Sequence, residues 1–375
     1  MKIGFDAKRA FNNSTGLGNY ARLLIKSLVA NFPENKYYLF TPKIDEKFAN
    51  EFSEFRQVEI IKPENFIDKQ FSAAWRSYSI GDIVNNLELD IFHGLSNELP
   101  KGINQLKTKC VVTIHDLIFL RYPNYYNNID AYIYKKKFRN ACNYADLILA
   151  TSIQTQNDII DFFKTEKEKI QVTYQACDDA FSVAYTNETK DLIREKYNLP
   201  KQFILSVGTI EKRKNQLTIL QALNELDNNW ELVLIGKKTS YADDIISYAK
   251  QHDLTNRLHI FENIPFSDLP VIYQCSDLFV YISEFEGFGI PVLEAMQSNI
   301  LAVTSNVSSL PEVIGNELLT INPFESSALV HFIKINFSQP DLIKDYITTA
   351  KQRAQLFDKD YLAKALMDKY LALLA

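Results

Sequence analysis

Glycine is scarce in this chain, with 11 residues in 375, and so are Cys (4), Met (3) and Trp (2). At well under the usual share of glycine, collagen-like and Gly-rich low-complexity chains are excluded. The four cysteines, Cys110, Cys142, Cys177 and Cys275, show no CxxC spacing and lie in apolar or strand-like contexts. They read as reduced core residues, not as a zinc site or a disulfide frame. No apolar run approaches the roughly 18–20 residues that cross a bilayer. Met1-Lys2-Ile3 leads straight into strand-like sequence with no signal-peptide core, so a protein neither exported nor integral is expected. Charge of one sign is lacking too. The 41 basic and 46 acidic residues leave a net charge of −5 and a pI near 5.7, which argues against a general nucleic-acid binder.

What is present is an ordinary globular composition, 46% hydrophobic and 23% charged, in a chain long enough for about two domains. Short β-branched runs alternate with helical patterns, the mark of parallel α/β architecture. The first half offers strands at Lys2–Asp6, Tyr38–Thr41, Val58–Ile61, Asp90–His93, Val111–His115 and Leu147–Thr151. The second offers Phe203–Val207, Glu231–Ile235, Leu258–Phe261, Leu278–Ile282, Leu301–Thr304 and Leu318–Ile321. Two sets of six strands predict two doubly wound domains, with the boundary between Cys177 and Pro200 and terminal helices from Leu342, broken only at Phe357-Asp358. Charge is uneven: residues 1–180 carry 23 Lys and Arg against 22 Asp and Glu, the rest 18 against 24. Ordinary surface charge explains this, and so does a first half that faces something anionic.

A chain sparing of glycine keeps it where the backbone needs it. Seven of the eleven, Gly16, Gly18, Gly94, Gly208, Gly236, Gly287 and Gly289, fall just after predicted strands or in strand-to-helix loops. In an open parallel sheet those positions lie at the ligand end. Thr15-Gly16-Leu17-Gly18-Asn19-Tyr20 reads as a loop feeding a helix whose N-terminus could hold a phosphate. It is not the dinucleotide fingerprint, because its glycines do not follow G-x-G-x-x-G. In Ser206-Val207-Gly208-Thr209-Ile210-Glu211-Lys212-Arg213-Lys214-Asn215 a buried strand ends and a basic triplet precedes a helix. That suits a diphosphate, although three adjacent cations are more often a solvated surface. In Glu284-Phe285-Glu286-Gly287-Phe288-Gly289-Ile290-Pro291-Val292-Leu293-Glu294 a glycine-rich loop runs into a helix opened by Pro291. Its Glu286 and Glu294 suit vicinal hydroxyls, and the amides of Phe288, Gly289 and Ile290 suit an anion. Helix capping by acidic residues accounts for Glu294 but not for the two-glycine loop. His93 and His115 end strands of the first domain. Each alone is most simply structural, and together at one sheet edge they become site candidates.

These segments together resemble the retaining glycosyltransferases of the GT-B fold, glycosyltransferase family 4, and especially its bacterial mannosyltransferase-like members. Gly16 to Arg22 is similar to the family's N-terminal glycine loop, Val112-Thr113-Ile114-His115-Asp116 to its histidine motif, and Ala145 to Ser152 to the last strand of the first domain. Val207 to Asn215 is similar to its donor-phosphate segment, Glu286 to Glu294 to its E-x7-E motif, and Ser308 to Val313 to the segment that follows. The resemblance implies an α/β GT-B fold of two Rossmann-like doubly wound domains facing a cleft. It sets them at 1–178 for the acceptor side and 179–355 for the donor, with 356–375 a helix returning to the first domain. It implies that Glu294 binds ribose hydroxyls, Glu286 donor-sugar hydroxyls, and Phe288, Gly289 and Ile290 the sugar and diphosphate. Lys214 and Arg213 neutralise the diphosphate beside Gly208, with Gly16 and Gly18 also on the donor, and His115 lies against the donor sugar. The base would lie near Gly236-Lys237 and Glu262-Asn263-Ile264. Thr209 is a departure, since many relatives carry Arg there, and it shifts phosphate charge onto Lys214 and Arg213.

The expected reaction is hexose transfer, mannose from GDP-mannose, to a glycan or lipid-linked acceptor in surface polysaccharide synthesis. UDP- and dTDP-sugars stay open as donors. Cofactor and metal are not expected, because no DxD follows a strand: Asp178-Asp179 and Asp243-Asp244 are adjacent pairs suited to a turn and a helix surface. Another GT-B enzyme, such as a sugar-nucleotide epimerase or a phosphorylase, is the competing reading, and a non-catalytic sugar- or nucleotide-binding protein is a third. A cytoplasmic location is expected. The Tyr- and Lys-rich stretch from Arg121 to Arg139 reads as a solvated helix with its aromatics in the core, or as an acceptor or lipid-headgroup surface giving the first domain a peripheral membrane contact.

Overall fold

The computed structural model describes residues 1–64, 69–71 and 74–375. The chain forms two compact units, Met1–Ala176 with Phe357–Ala375, and Cys177–Leu356. Each is built on a wholly parallel sheet with helical connections.

In the first unit the strands are β1 Lys2–Asp6, β2 Lys36–Phe40, β3 Val58–Ile61, β4 Ile91–Gly94, β5 Lys109–Ile114, β6 Leu147–Ala150 and β7 Ile170–Val172. Their order is β3-β2-β1-β4-β5-β6-β7, so the winding reverses between β1 and β4. Six strands were expected and seven are found. β7 has three residues with Gln171 exposed at its centre, too short and too polar to stand out in the sequence. Cys110 to Ile114 is buried throughout because helices cover both faces. A short helix at Lys8–Asn12, also unanticipated, separates β1 from the long helix Gly16–Asn31. Gly16 and Gly18 therefore lie inside that helix's first turn and not in a loop. A Cβ on Gly18 would lie 1.9 Å from the Asn13 carbonyl oxygen, so the backbones approach too closely for any larger residue.

The final helix, Lys359–Leu374, packs on the helix Gly16–Asn31 and buries Ala363, Leu366, Met367 and Tyr370 in the core of this unit. It also brings a polar chain into that core. The Tyr370 hydroxyl lies 2.6 Å from His93 Nδ1, His93 Nε2 lies 2.8 Å from Thr113 Oγ1, and Thr113 Oγ1 lies 3.0 Å from the Tyr20 hydroxyl. His93 is wholly enclosed, which corrects its reading as a site candidate. Burial, reinforced by the nearby charge of His115, holds its pKa down to about 3, so the ring is neutral.

In the second unit the strands are β8 Phe203–Val207, β9 Glu231–Ile235, β10 Leu258–Phe261, β11 Leu278–Tyr281, β12 Leu301–Ser305 and β13 Thr320–Ile321. The order β10-β9-β8-β11-β12-β13 repeats the first unit's winding, with its reversal between β8 and β11. β13 is shorter than the expected Leu318–Ile321, because Glu317–Leu319 forms a 3-10 turn capped by Asn316. Tyr370→Phe would strand His93 Nδ1 in the core. An unsatisfied buried group costs about 1–3 kcal/mol, so a lowered melting temperature is expected in calorimetry, with secondary structure unchanged by circular dichroism.

Candidate functional site

The ends of β8 and β11 flank the reversal in the second sheet, the place where open α/β sheets leave a crevice. The chain leaves β8 through Gly208 at φ +140°, a backbone conformation that glycine alone adopts readily. A Cβ on Gly236, after β9, would lie 1.9 Å from the Gly208 carbonyl oxygen. The two glycines thus let adjacent strand ends close tightly, and they bring Gly208 beside Lys214 and Tyr281. Lys212–Lys214 then forms a 3-10 turn ahead of the helix Gln216–Leu223. The turn splits the basic triplet: Lys212 is exposed, while Arg213 and Lys214 are drawn inward.

Both cations meet one oxygen. Lys214 Nζ lies 2.6 Å and Arg213 Nη1 2.7 Å from Glu286 Oε1. The Tyr281 hydroxyl, at the end of β11, donates to the same oxygen at 3.0 Å and accepts from Lys214 Nζ. Arg213 also donates to the Phe285 carbonyl at 2.7 Å and pairs with Glu211 at 2.6 Å. Burial alone would push the Glu286 carboxyl up, but the charges of Arg213 and Lys214 outweigh it and hold the pKa at about 2. Burial, with Arg213 alongside, lowers the Lys214 ammonium against the opposing pull of Glu286. The loop carrying Glu286 is pinned from beyond β12. Ser308 Oγ donates to the Glu286 carbonyl at 2.6 Å, and Ser309 Oγ to the Phe288 carbonyl at 2.7 Å. Gly289, at φ +124°, turns the chain into the helix Ile290–Gln297, with Pro291 in its first turn.

Glu294 sits within that helix and has a different environment. Its Oε2 accepts from the Tyr273 hydroxyl at 2.7 Å. Burial and the charge of Asp178 raise its pKa to about 7, against the opposing effect of the Tyr273 bond. Tyr273 and Tyr281 both stack with Phe279, with ring centroids 5.2 and 6.0 Å away. Two glutamates nine positions apart, counted inclusively, are thus each held by a tyrosine of one aromatic column. Sequence reasoning missed both hydroxyls. The available signal was Phe279 and Tyr281 at alternate positions of β11, immediately before the acidic loop. Thr209 follows Gly208 and its carbonyl accepts from Gln216 Nε2 at 3.1 Å. Ile264 lies half-buried beyond the end of β10, at the same edge of the sheet.

In the first unit, His115 follows β5. Its Nε2 lies 2.9 Å from the Leu95 carbonyl, which can only accept, so Nε2 carries the proton and Nδ1 accepts from Gln175 Nε2 at 2.8 Å. The Tyr20 ring meets the imidazole edge-on at 4.8 Å. Burial, with Arg9 in support, lowers the His115 pKa to about 4 despite the Leu95 bond. The ring is neutral near pH 7 with both nitrogens engaged.

Residues 14–181 match the sequence family described as Glycosyltransferase Family 4, and residues 189–353 match Glycosyl transferases group 1. The chain belongs to this glycosyltransferase family. This family 4 glycosyltransferase is 28% identical over 377 residues to O-antigen chain mannosyltransferase B of Escherichia coli, covering 95% of each protein. To the serotype-specific mannosyltransferase WbdA of Escherichia coli it is 31% identical over 278 residues, 70% of this chain and 34% of that longer protein. Among solved structures, Anabaena HepE in complex with UDP aligns with a TM-score of 0.78 at 16% identity, over 99% of this chain and 100% of that one. The fold is GT-B, with two Rossmann-like parallel-sheet units.

The raised pKa of Glu294 has a sign. Between about 4.5 and 7 the unfolded chain releases the proton that the folded chain keeps, so ionisation disfavours folding. Stability relative to Glu294→Gln is therefore full below pH 4.5, falls as pH rises toward 7 and levels off above it. Melting temperatures of the two proteins across pH 4 to 9 check this, and the difference between them removes the opposite trend from His115.

Proposed function

We propose that this glycosyltransferase retains anomeric configuration and transfers a hexose, mannose from GDP-mannose, to a glycan or lipid-linked acceptor in surface polysaccharide synthesis, without a metal. The observation that carries the reading is Lys214 and Arg213 converging on Glu286 at the β8/β11 switch point. The mannosyltransferase names of the relatives favour mannose.

In this reading the bond between the anomeric carbon and the diphosphate oxygen breaks, the acceptor oxygen bonds to that carbon on the same face, and the acceptor's proton passes to the departing phosphate. Negative charge grows on the leaving group, so preorganised cations and amide dipoles lower the barrier. Lys214 and Arg213 supply the cations, and the segment Phe288, Gly289 and Ile290 opens a helix whose positive end favours an anion. Gly208 lets the diphosphate approach the backbone, and Thr209 leaves its charge to the two basic side chains. Glu294 takes the ribose hydroxyls and Ile264 borders the base. Glu286 orients sugar hydroxyls. Ion-paired at a pKa of about 2, it is a poor nucleophile, which agrees with same-face transfer lacking a protein intermediate. Gly16 and Gly18 serve the phosphate through their helix N-terminus. His115, neutral and doubly bonded, offers the donor sugar a fixed surface instead of a proton.

Thermal shift with GDP, UDP and dTDP tests the donor, because selective binding stabilises the fold by mass action. GDP is expected to raise the melting temperature most. Glu294→Ala is expected to abolish the shift, and Lys214→Ala to remove the advantage of GDP over guanosine. No shift with any nucleotide, or a full shift in Glu294→Ala, would overturn the assignment. Proton NMR of the product anomeric centre tests retention.

A further inference from the structure

Lys214 is carried on a flexible four-carbon stem, yet its ammonium is held at two points. Nζ donates to Glu286 Oε1 at 2.6 Å and to the Tyr281 hydroxyl. That hydroxyl has one proton, and it gives it to the same Glu286 oxygen at 3.0 Å. Lysine, tyrosine and glutamate thus close a triangle in which each polar atom bonds the other two. An ammonium has three N–H groups, so the triangle fixes two of them and, with them, the direction of the third.

The hydroxyl can aim Lys214 because Tyr281 itself is held on every side. It ends β11, where Thr304 Oγ1 of β12 donates to its carbonyl at 2.8 Å. Its ring stacks on Phe279 with an interplanar angle of 15°, and the residue is buried. Backbone, ring and oxygen are therefore placed by the sheet and the core, not by the loop that carries Glu286. Arg213 is tied differently. Its other partners are the Phe285 carbonyl, on that same loop, and Glu211, two residues before it. Of the two cations, Lys214 is the one anchored to a strand. Gly208 lies beside the anchor. A Cβ there would sit 3.8 Å from Tyr281 Cε2 and 3.9 Å from Lys214 Nζ, so the glycine leaves open a space bordered by the tyrosine ring and the ammonium.

We propose that Tyr281 is a positioning residue for donor transfer: its hydroxyl holds Lys214 with one N–H free for the leaving diphosphate, and keeps it there while Glu286 turns to the sugar. This rests on the reading of Lys214 as a ligand of the diphosphate. Preorganisation of this kind spares the lysine a search among rotamers when the donor arrives. The test uses titration calorimetry with whichever of GDP, UDP and dTDP raises the melting temperature most, and with its nucleoside. The ratio of the two dissociation constants reads the hold on the phosphates. Tyr281→Phe keeps the ring and its stack and removes only the oxygen. It should cut the preference for the diphosphate about tenfold, as for loss of one hydrogen bond to a charged group. The nucleoside should bind as to wild type, a selectivity that a packing defect would not give. Adding Tyr281→Phe to Lys214→Ala should change nothing further, since the hydroxyl acts through that ammonium. Tyr273→Phe, stacked on the same Phe279 but bonded to Glu294, should leave the preference intact. Full preference in Tyr281→Phe beside its loss in Lys214→Ala would overturn the role of Tyr281 and leave the diphosphate reading standing. Full preference in Lys214→Ala would overturn that reading, and the role of Tyr281 with it. Equal losses for diphosphate and nucleoside in Tyr281→Phe, a further loss in the double variant, or a lost preference in Tyr273→Phe would each reduce the hydroxyl to packing and overturn the proposal.

Discussion

The arrangement of the second unit turns on one carboxylate oxygen. Glu286 Oε1 receives Lys214, Arg213 and the Tyr281 hydroxyl together. Two cations drawn in from solvent at neighbouring positions would repel each other, and desolvation would disfavour both. The shared carboxylate removes that conflict and converts the stretch after β8 into a fixed turn. Much of the local backbone follows from it. Gly208 must open the turn, Gly236 must leave room for it, and Ser308 and Ser309 must hold the loop that carries Glu286.

The same pairing sets the electrostatic balance of the switch point. With Glu286 ionised the two cations are partly compensated at rest. An anion approaching this point would meet donors already in place and not an unscreened positive patch, which favours selectivity through geometry over indiscriminate anion capture. Glu294 shows the contrary case, a carboxyl bonded to a tyrosine with no ion pair among the described residues. Its pKa is raised toward neutrality where that of Glu286 is depressed. Two glutamates of one motif are thus driven apart by their partners.

Much of this was legible in the sequence. Strands read as short apolar runs, and β1, β8 and β9 appear at the limits their residues suggest, because strands buried along most of their length have few polar positions to blur them; the half-buried edge strands β3 and β10 were legible from four-residue runs rich in Val, Ile, Leu and Phe. β7 was invisible for the converse reason: Ile170-Gln171-Val172 is an edge strand with one face in water. At the site, scarcity of glycine pointed to Gly208, Gly236 and Gly289, whose backbones need close approach or positive φ. The tyrosines were not legible. Tyr281 and Tyr273 look like core aromatics, and only the fold shows their hydroxyls meeting glutamates from elsewhere in the chain. His93 misled because position along a strand does not reveal a partner such as Tyr370, 277 residues away.

That distant partner bears on how the protein is made. The first unit begins at Met1 yet is finished by Phe357–Ala375, with the whole of Cys177–Leu356 inserted between. On the ribosome, the second unit emerges in full while the first still lacks Leu366, Met367 and Tyr370 from its interior. Vectorial synthesis therefore favours the later half as the earlier to settle. The opening segment can complete its core only once the final helix has been synthesised.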